Sequence, residues 1–198
     1  MLVSGAGTNL QALLDDPSLR ELVALVVSDR PGAPALQRAE AAGVPTVVVD
    51  WAAHAEREGF SRAILERLEE KEIEYVVLAG FMRILPPDFV SAYRDRIVNT
   101  HPALLPAFPG AHAVRDALDW GVKVAGATVH LVDDQVDHGP IVLQEAVPVV
   151  PDDDEGSLHA RIKAVEHRLL PRAVRLLVDG RLKVEGRRVH VLEEEPGP

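Results

Sequence analysis

Leu2-Val3-Ser4-Gly5-Ala6-Gly7-Thr8-Asn9-Leu10-Gln11-Ala12-Leu13-Leu14 stands at the start of the chain, and its reading decides the fold class. Two apolar residues lead into a glycine turn, after which Leu10, Leu13 and Leu14 take up helical spacing; the stretch predicts strand, turn, helix. Further apolar runs, several rich in Val and Ile and bounded by Gly, Pro or Asp, predict short buried strands over 22–27, 46–49, 75–79, 97–99 and 128–132. Helical stretches lie between them over 33–42, 54–71, 87–94 and 111–120. Such alternation predicts an α/β fold, a mainly parallel twisted sheet with helices on both faces, whose ligands gather at the carboxyl ends of the strands. Beyond residue 127 the apolar runs 128–132 and 141–150, joined by an acidic loop, predict edge strands of a C-terminal antiparallel extension. Leu158, Ile162, Val165, Leu169, Val174 and Leu177 predict an amphipathic helix that Pro171 kinks or restarts. Residues 181–191 predict a hairpin with Glu185-Gly186 at the turn, and 193–198 a frayed end.

Composition narrows the function classes. A chain of 198 residues suits a single domain able to bury a substantial core. It has no cysteine, which removes disulfides, thiolate nucleophiles and cysteine zinc sites and agrees with a reducing, cytoplasmic location. A formal charge of −10 disfavours nucleic-acid binding, which needs clustered cations. With no apolar run of about 18 residues and no basic, apolar leader, neither a membrane partner nor a signal peptide is expected. Small-molecule substrates are the expected partners, with the chain a monomer or homodimer.

The residues able to carry chemistry fall in a few places. Asn99 and His101 are two apart at the end of an apolar run, so a strand would project an amide and an imidazole side by side, with Pro102 ending it. A hydrogen-bonded core histidine is the competing reading of His101 alone. In the glycine turn, Gly7, Thr8 and Asn9 could present backbone and side-chain donors to a phosphate, or form a plain tight turn capped by Asn9. Phe81, Met82, Ile84 and Leu85 could hold a flat heteroaromatic ligand or simply pack a neighbouring helix. Asp133, Asp134 and Asp137 depart from the calcium-loop spacing, so no metal is expected. A carboxylate brought close to His101 would raise its pKa and favour imidazolium. His112, His130, His138 and His167 lack an asparagine two residues away and read as structural or exposed.

Taken in order, SGAGTNLQALL (4–14), VLAGFMRIL (77–85), NTHPALLP (99–106), FPGAH (108–112), GATVHLVDDQVDHGP (126–140) and Glu166-His167 resemble the phosphoribosylglycinamide formyltransferase family across nearly the whole chain. The resemblance implies a Rossmann-like domain over 1–198, with a phosphate-binding half to about residue 100 and a catalytic and folate-binding half over about 101–190. It implies formyl transfer from 10-formyltetrahydrofolate to the amine of 5′-phosphoribosylglycinamide, in purine biosynthesis and without a metal. Asn99, His101 and Asp137 match its catalytic group. Gly7, Thr8, Asn9 and Glu166 match its ribonucleotide contacts, and Arg57, Met82, Arg83, Ile84, Leu85, Asn99 and Asp134 its folate contacts. Formyltetrahydrofolate deformylase, a hydrolase with the same catalytic residue types, is the alternative. Methionyl-tRNA formyltransferase would require a further tRNA-binding domain, and a noncatalytic nucleotide module would have no use for the Asn-His-Asp set.

Overall fold

In the computed structural model, which describes residues 1–192, a seven-stranded sheet has the order β3-β2-β1-β4-β5-β6-β7. Strands β1 (Leu2–Val3), β2 (Val26–Ser28), β3 (Thr46–Val48), β4 (Val76–Leu78) and β5 (Ile97–His101) are parallel. Strands β6 (Val124–Leu131) and β7 (Ile141–Pro148) complete one edge antiparallel. The chain runs outward from β1 to β3, then returns to place β4 on the other side of β1. The loops after β1 and β4 therefore part company at a topological switch point, where α/β sheets open a crevice. Across that crevice the Met82 amide donates to Ser4 Oγ at 3.0 Å.

Alternation along each strand divides the core in two. Leu2, Val76, Leu78 and Ile97 pack with Phe60, Ile64 and Leu68 of α4 (Arg57–Glu69) and Phe89 of α5 (Pro87–Ala92). Val3, Val77 and Val98 face the opposite side. There they meet Leu10, Leu13 and Leu14 of α1 (Thr8–Leu14) and Leu158, Ile162 and Leu169 of α7 (Glu155–Val178). Helix α2 (Pro17–Arg20) follows α1, α3 (Pro34–Ala41) packs beside it, and α6 (Ala113–Asp119) precedes β6. The hairpin of β8 (Leu182–Glu185) and β9 (Arg188–Val191) stands as a separate two-stranded sheet. Among the described residues no helix is long and apolar enough to cross a membrane.

The structure corrects several boundaries. Residues 22–25 precede β2 rather than belonging to it, and Leu22 is solvent-exposed. Strand β5 continues to His101 because it pairs antiparallel with β6 from Val98↔Leu131 to His101↔Thr128, and β6 begins at Val124 because residues 124–127 pair with β7 from Val124↔Pro148 to Ala127↔Glu145. Helix α7 runs unbroken through Pro171. Proline removes one intrahelical N–H, but Pro171 is buried between Leu169, Leu170, Ala173 and Val174, whose packing holds both turns in line. Its start is fixed by a capping box in which the Ser157 amide donates to Asp154 at 2.7 Å and the Asp154 amide to Ser157 Oγ at 3.1 Å. The hairpin turn comprises Gly186 and Arg187, one position later than expected. The expected frayed end over 193–198 lies outside the described residues.

The glycine turn is also more than a tight turn. Gly7 caps α1 with φ 70°, and no side chain caps that helix, so Asn9 is free for another role. A Cβ on Gly7 would come within 2.6 Å of the Ala35 Cβ, so the residue both adopts a left-handed backbone and admits α3. Gly7→Ala is expected to cost about 2 kcal/mol from overpacking and strain. Chemical denaturation checks this, and a midpoint equal to wild type would contradict it.

Candidate active site

Strand β5 ends where the parallel sheet meets its antiparallel edge, and its alternation sorts three polar side chains. Asn99 and His101 share the face of Ile97, whereas Thr100 shares that of Val98. The loop after β6 brings Asp137 to the first face: its Oδ2 lies 3.3 Å from His101 Nδ1 and its Oδ1 3.4 Å from Asn99 Nδ2. The structure thus brings Asn99, His101 and Asp137 together. Asp137 Oδ2 also accepts from the Gly110 amide at 2.8 Å. His101 Nε2 donates to the Phe108 carbonyl at 2.8 Å, which leaves Nδ1 as the ring nitrogen beside Asp137.

His130 is a member of this cluster that spacing missed. It lies opposite Asn99 in the β5–β6 register, with Nε2 3.2 Å from Asn99 Nδ2 and 3.6 Å from Asp137 Oδ1. Its Nδ1 donates to the Leu131 carbonyl at 2.9 Å, which leaves Nε2 facing both Asn99 and Asp137. Knowing that β6 runs antiparallel to β5 in this register would have found it; looking for an asparagine two residues away could not.

Charge in the cluster is set by burial as much as by pairing. Desolvation pushes the Asp137 carboxyl up, but His130, the Gly110 amide and His101 outweigh it and hold the acid below the ordinary carboxylate value. His101 goes against expectation. It is 4% exposed, and desolvation pushes its imidazole below 6.5 despite the opposing pull of Asp137 and the Phe108 carbonyl; nearby His130 pushes the same way as burial. The resting imidazole is therefore neutral at pH 7, not the imidazolium that a nearby carboxylate alone predicts.

On the other face of β5 a second cluster forms. Thr100 Oγ1 donates to Glu166 Oε1 at 2.9 Å, and Asn9 Nδ2 makes a long 3.5 Å contact to Glu166 Oε2. Glu166 is buried, and desolvation raises its carboxyl above 4.5 in spite of those donors. Asn9 Oδ1 is itself buried without a hydrogen-bond partner. Glu166 of α7 thereby joins the glycine turn to β5, and Thr100 is a further participant that sequence reasoning did not single out.

The remaining nominated residues lie on the loop after β4, at the start of α4 and on the loop after β6. Phe81 and Leu85 are buried in the core, whereas Met82 and Ile84 are exposed, 64% and 55%, in a segment otherwise anchored by apolar packing. Arg83 is held by Asp29 at 2.7 Å and lies over the Trp51 ring at 4.7 Å. Arg57, at the start of α4, pairs with Glu58 at 3.5 Å, and Asp134 is exposed on the loop after β6. Among the described residues neither makes a hydrogen bond to Asn99, His101 or Asp137. No group of three His, Asp or Glu side chains there is placed to hold a metal ion.

Comparison with known proteins gives this geometry a context. The Formyl transferase family matches residues 1–174. Phosphoribosylglycinamide formyltransferase of Mycobacterium tuberculosis is 50% identical over 190 residues, 94% of this chain and 87% of that protein. The trifunctional purine biosynthetic protein adenosine-3 of Drosophila melanogaster is 45% identical over 91% of this chain, which spans 14% of its length. The solved structure of glycinamide ribonucleotide transformylase 1 from Symbiobacterium toebii superposes with a TM-score of 0.93 at 51% identity, covering 97% of this chain and 92% of that one.

NMR titration tests the electrostatics. His101 is expected to titrate below 6.5, and lower still in Asp137→Asn, because the lost carboxylate charge is what draws its pKa upward. A folded-state pKa below the unfolded one means that the unfolded chain binds more protons in between. Stability associated with His101 is thus complete above about 6.5 and is lost as pH falls toward the depressed value. A His101 pKa above 6.5, or one that rises in Asp137→Asn, would contradict the account.

Proposed function

This chain belongs to the formyl transferase family, and from that premise we propose that it transfers a formyl group from 10-formyltetrahydrofolate to the glycinamide amine of 5′-phosphoribosylglycinamide. The observation that carries the reading is the convergence of Asn99, His101 and Asp137 at the carboxyl end of β5, with Asn9, Thr100 and Glu166 converging on the other face of that strand. One catalytic domain provides both clusters.

In this reading the amine attacks the formyl carbon. A nitrogen–carbon bond forms, the carbonyl electron pair moves onto oxygen, and the tetrahedral species presents an oxyanion to the Asn99 amide. Donors fixed beforehand where that charge develops are what the step requires. The amine's proton passes, directly or through water, to the His101–Asp137 pair. It is received at Nδ1, since Nε2–H is held by the Phe108 carbonyl. The neutral resting state of His101 suits it to take that proton, and the imidazolium so formed is stabilised by the Asp137 carboxylate beside Nδ1. Collapse breaks the bond to the folate nitrogen, which takes up a proton as tetrahydrofolate leaves.

Substrate placement follows the remaining assignments. Gly7, Thr8 and Asn9 receive the phosphate, and Glu166 contacts the ribonucleotide. Met82 and Ile84 offer exposed apolar surface to the pterin, while Leu85, whose side chain is buried, contributes through its backbone. Arg83 supports that segment from its fixed position over Trp51, and Arg57, Asn99 and Asp134 supply polar contacts to the folate.

Formyl transfer with purified protein, measured with and without 5′-phosphoribosylglycinamide, tests the proposal. Turnover is expected to require the ribonucleotide; equal consumption of the formyl donor without it would indicate the hydrolase instead. Asn99→Ala, His101→Ala and Asp137→Asn are each expected to stay folded by circular dichroism and to lose about a hundredfold or more in kcat. Near wild-type turnover in any of them would remove that residue from the mechanism.

A further inference from the structure

The β8–β9 hairpin takes no part in the reaction proposed above, yet its turn reaches the loop that carries Asp137. Arg187 donates from Nη2 to the His138 carbonyl at 2.7 Å, and its Nη1 lies 3.1 Å from His138 Nε2. His138 Nδ1 is 2.7 Å from Asp133 Oδ2, which places a proton on Nδ1, and Arg187 Nη1, also 3.3 Å from Nδ1, lies over the imidazole face. The other oxygen of Asp133 accepts from the Gln135 amide at 3.0 Å. A chain of contacts from Arg187 through His138 to Asp133 therefore ties both ends of the 133–139 loop to the hairpin turn.

What makes this tether consequential is the residue next to it. Asp137 directly precedes His138 and has φ 50°, a left-handed backbone that a non-glycine residue keeps only when its surroundings hold it there. Its carboxylate is gripped by the Gly110 amide and the β5 side chains, whereas the backbone on its C-terminal side is gripped at the His138 carbonyl. A one-ångström error in a catalytic group is expensive in rate. We infer that Arg187 is a positioning residue: by pinning the His138 backbone it holds the Asp137 carboxylate against Asn99 and His101. Its contacts, to the His138 carbonyl through Nη2 and to the imidazole face through Nη1, match a planar, forked guanidinium better than a point charge.

The inference rests on the catalytic reading of Asp137, and its test separates the two. Arg187→Ala and Arg187→Lys, made in the full chain, are compared with wild type for kcat, thermal midpoint and the NMR titration of His101. The groups facing that imidazole are Asp137, His130 and the Phe108 carbonyl, of which Asp137 lies on the tethered loop. Arg187→Ala is expected to lower kcat by about threefold to tenfold, the range for an exposed charged hydrogen bond. The His101 pKa should move down while the thermal midpoint stays at the wild-type value, and Arg187→Lys should recover part of both losses. An unchanged His101 titration in Arg187→Ala would overturn the inference, as would a kcat loss that merely tracks a lower thermal midpoint. If the wild-type protein transfers no formyl group, the His101 titration alone decides whether the tether holds Asp137.

Discussion

Asp137 brings a negative charge into a wall where its side chain keeps 11% of its exposure, and the surrounding architecture can be understood as the means of holding it there. An isolated carboxylate at such a site would be neutralised, since burial without partners costs several kcal/mol. Here His130, Gly110, His101 and Asn99 surround it, and the acid stays below its ordinary pKa. Those partners come from β5, β6 and the loop after β5, so their convergence depends on β6 crossing antiparallel beside the last parallel strand. The change from parallel to antiparallel pairing is thus a requirement of the site as well as a way to finish the sheet.

Burial that is tolerable for Asp137 has a different effect on His101. The same low-dielectric surroundings that strengthen the hydrogen bonds to Asp137 also resist a charge on the imidazole, which rests neutral and, in the reading proposed above, takes up its proton from the reaction. Across the strand, Glu166 is a buried carboxyl whose pKa is raised, tied to Thr100 and Asn9. Strand β5 therefore separates two polar clusters of different electrostatic character, one face serving the developing oxyanion and the other the ribonucleotide in the reading proposed above. The switch point between β1 and β4 lies beside both, which brings the glycine turn and the Met82 segment into the same crevice.

Much of this was legible in the sequence because it is local. Glycines at the first turn, Val- and Ile-rich strands and the Asn99-x-His101 spacing each encode their geometry within a few residues. What was not legible is long-range. His130 joins the cluster through strand register, and Thr100 reaches Glu166 because α7 crosses that face of the sheet. Pro171 fails to break α7 because burial on both sides outweighs one missing hydrogen bond, a tertiary effect that propensity cannot register. The protonation of His101 is not legible for a related reason: proximity to a carboxylate can be inferred from a motif, but the depth of burial that opposes it cannot.

The central claim is that the two faces of β5 serve different substrates. Isothermal titration of Glu166→Gln with 5′-phosphoribosylglycinamide and, separately, with a folate analogue tests it most directly, because Glu166 touches the Thr100 face alone. The account predicts weakened ribonucleotide binding with folate-analogue affinity unchanged from wild type. Equal losses for both ligands, or a loss confined to the folate analogue, would contradict it.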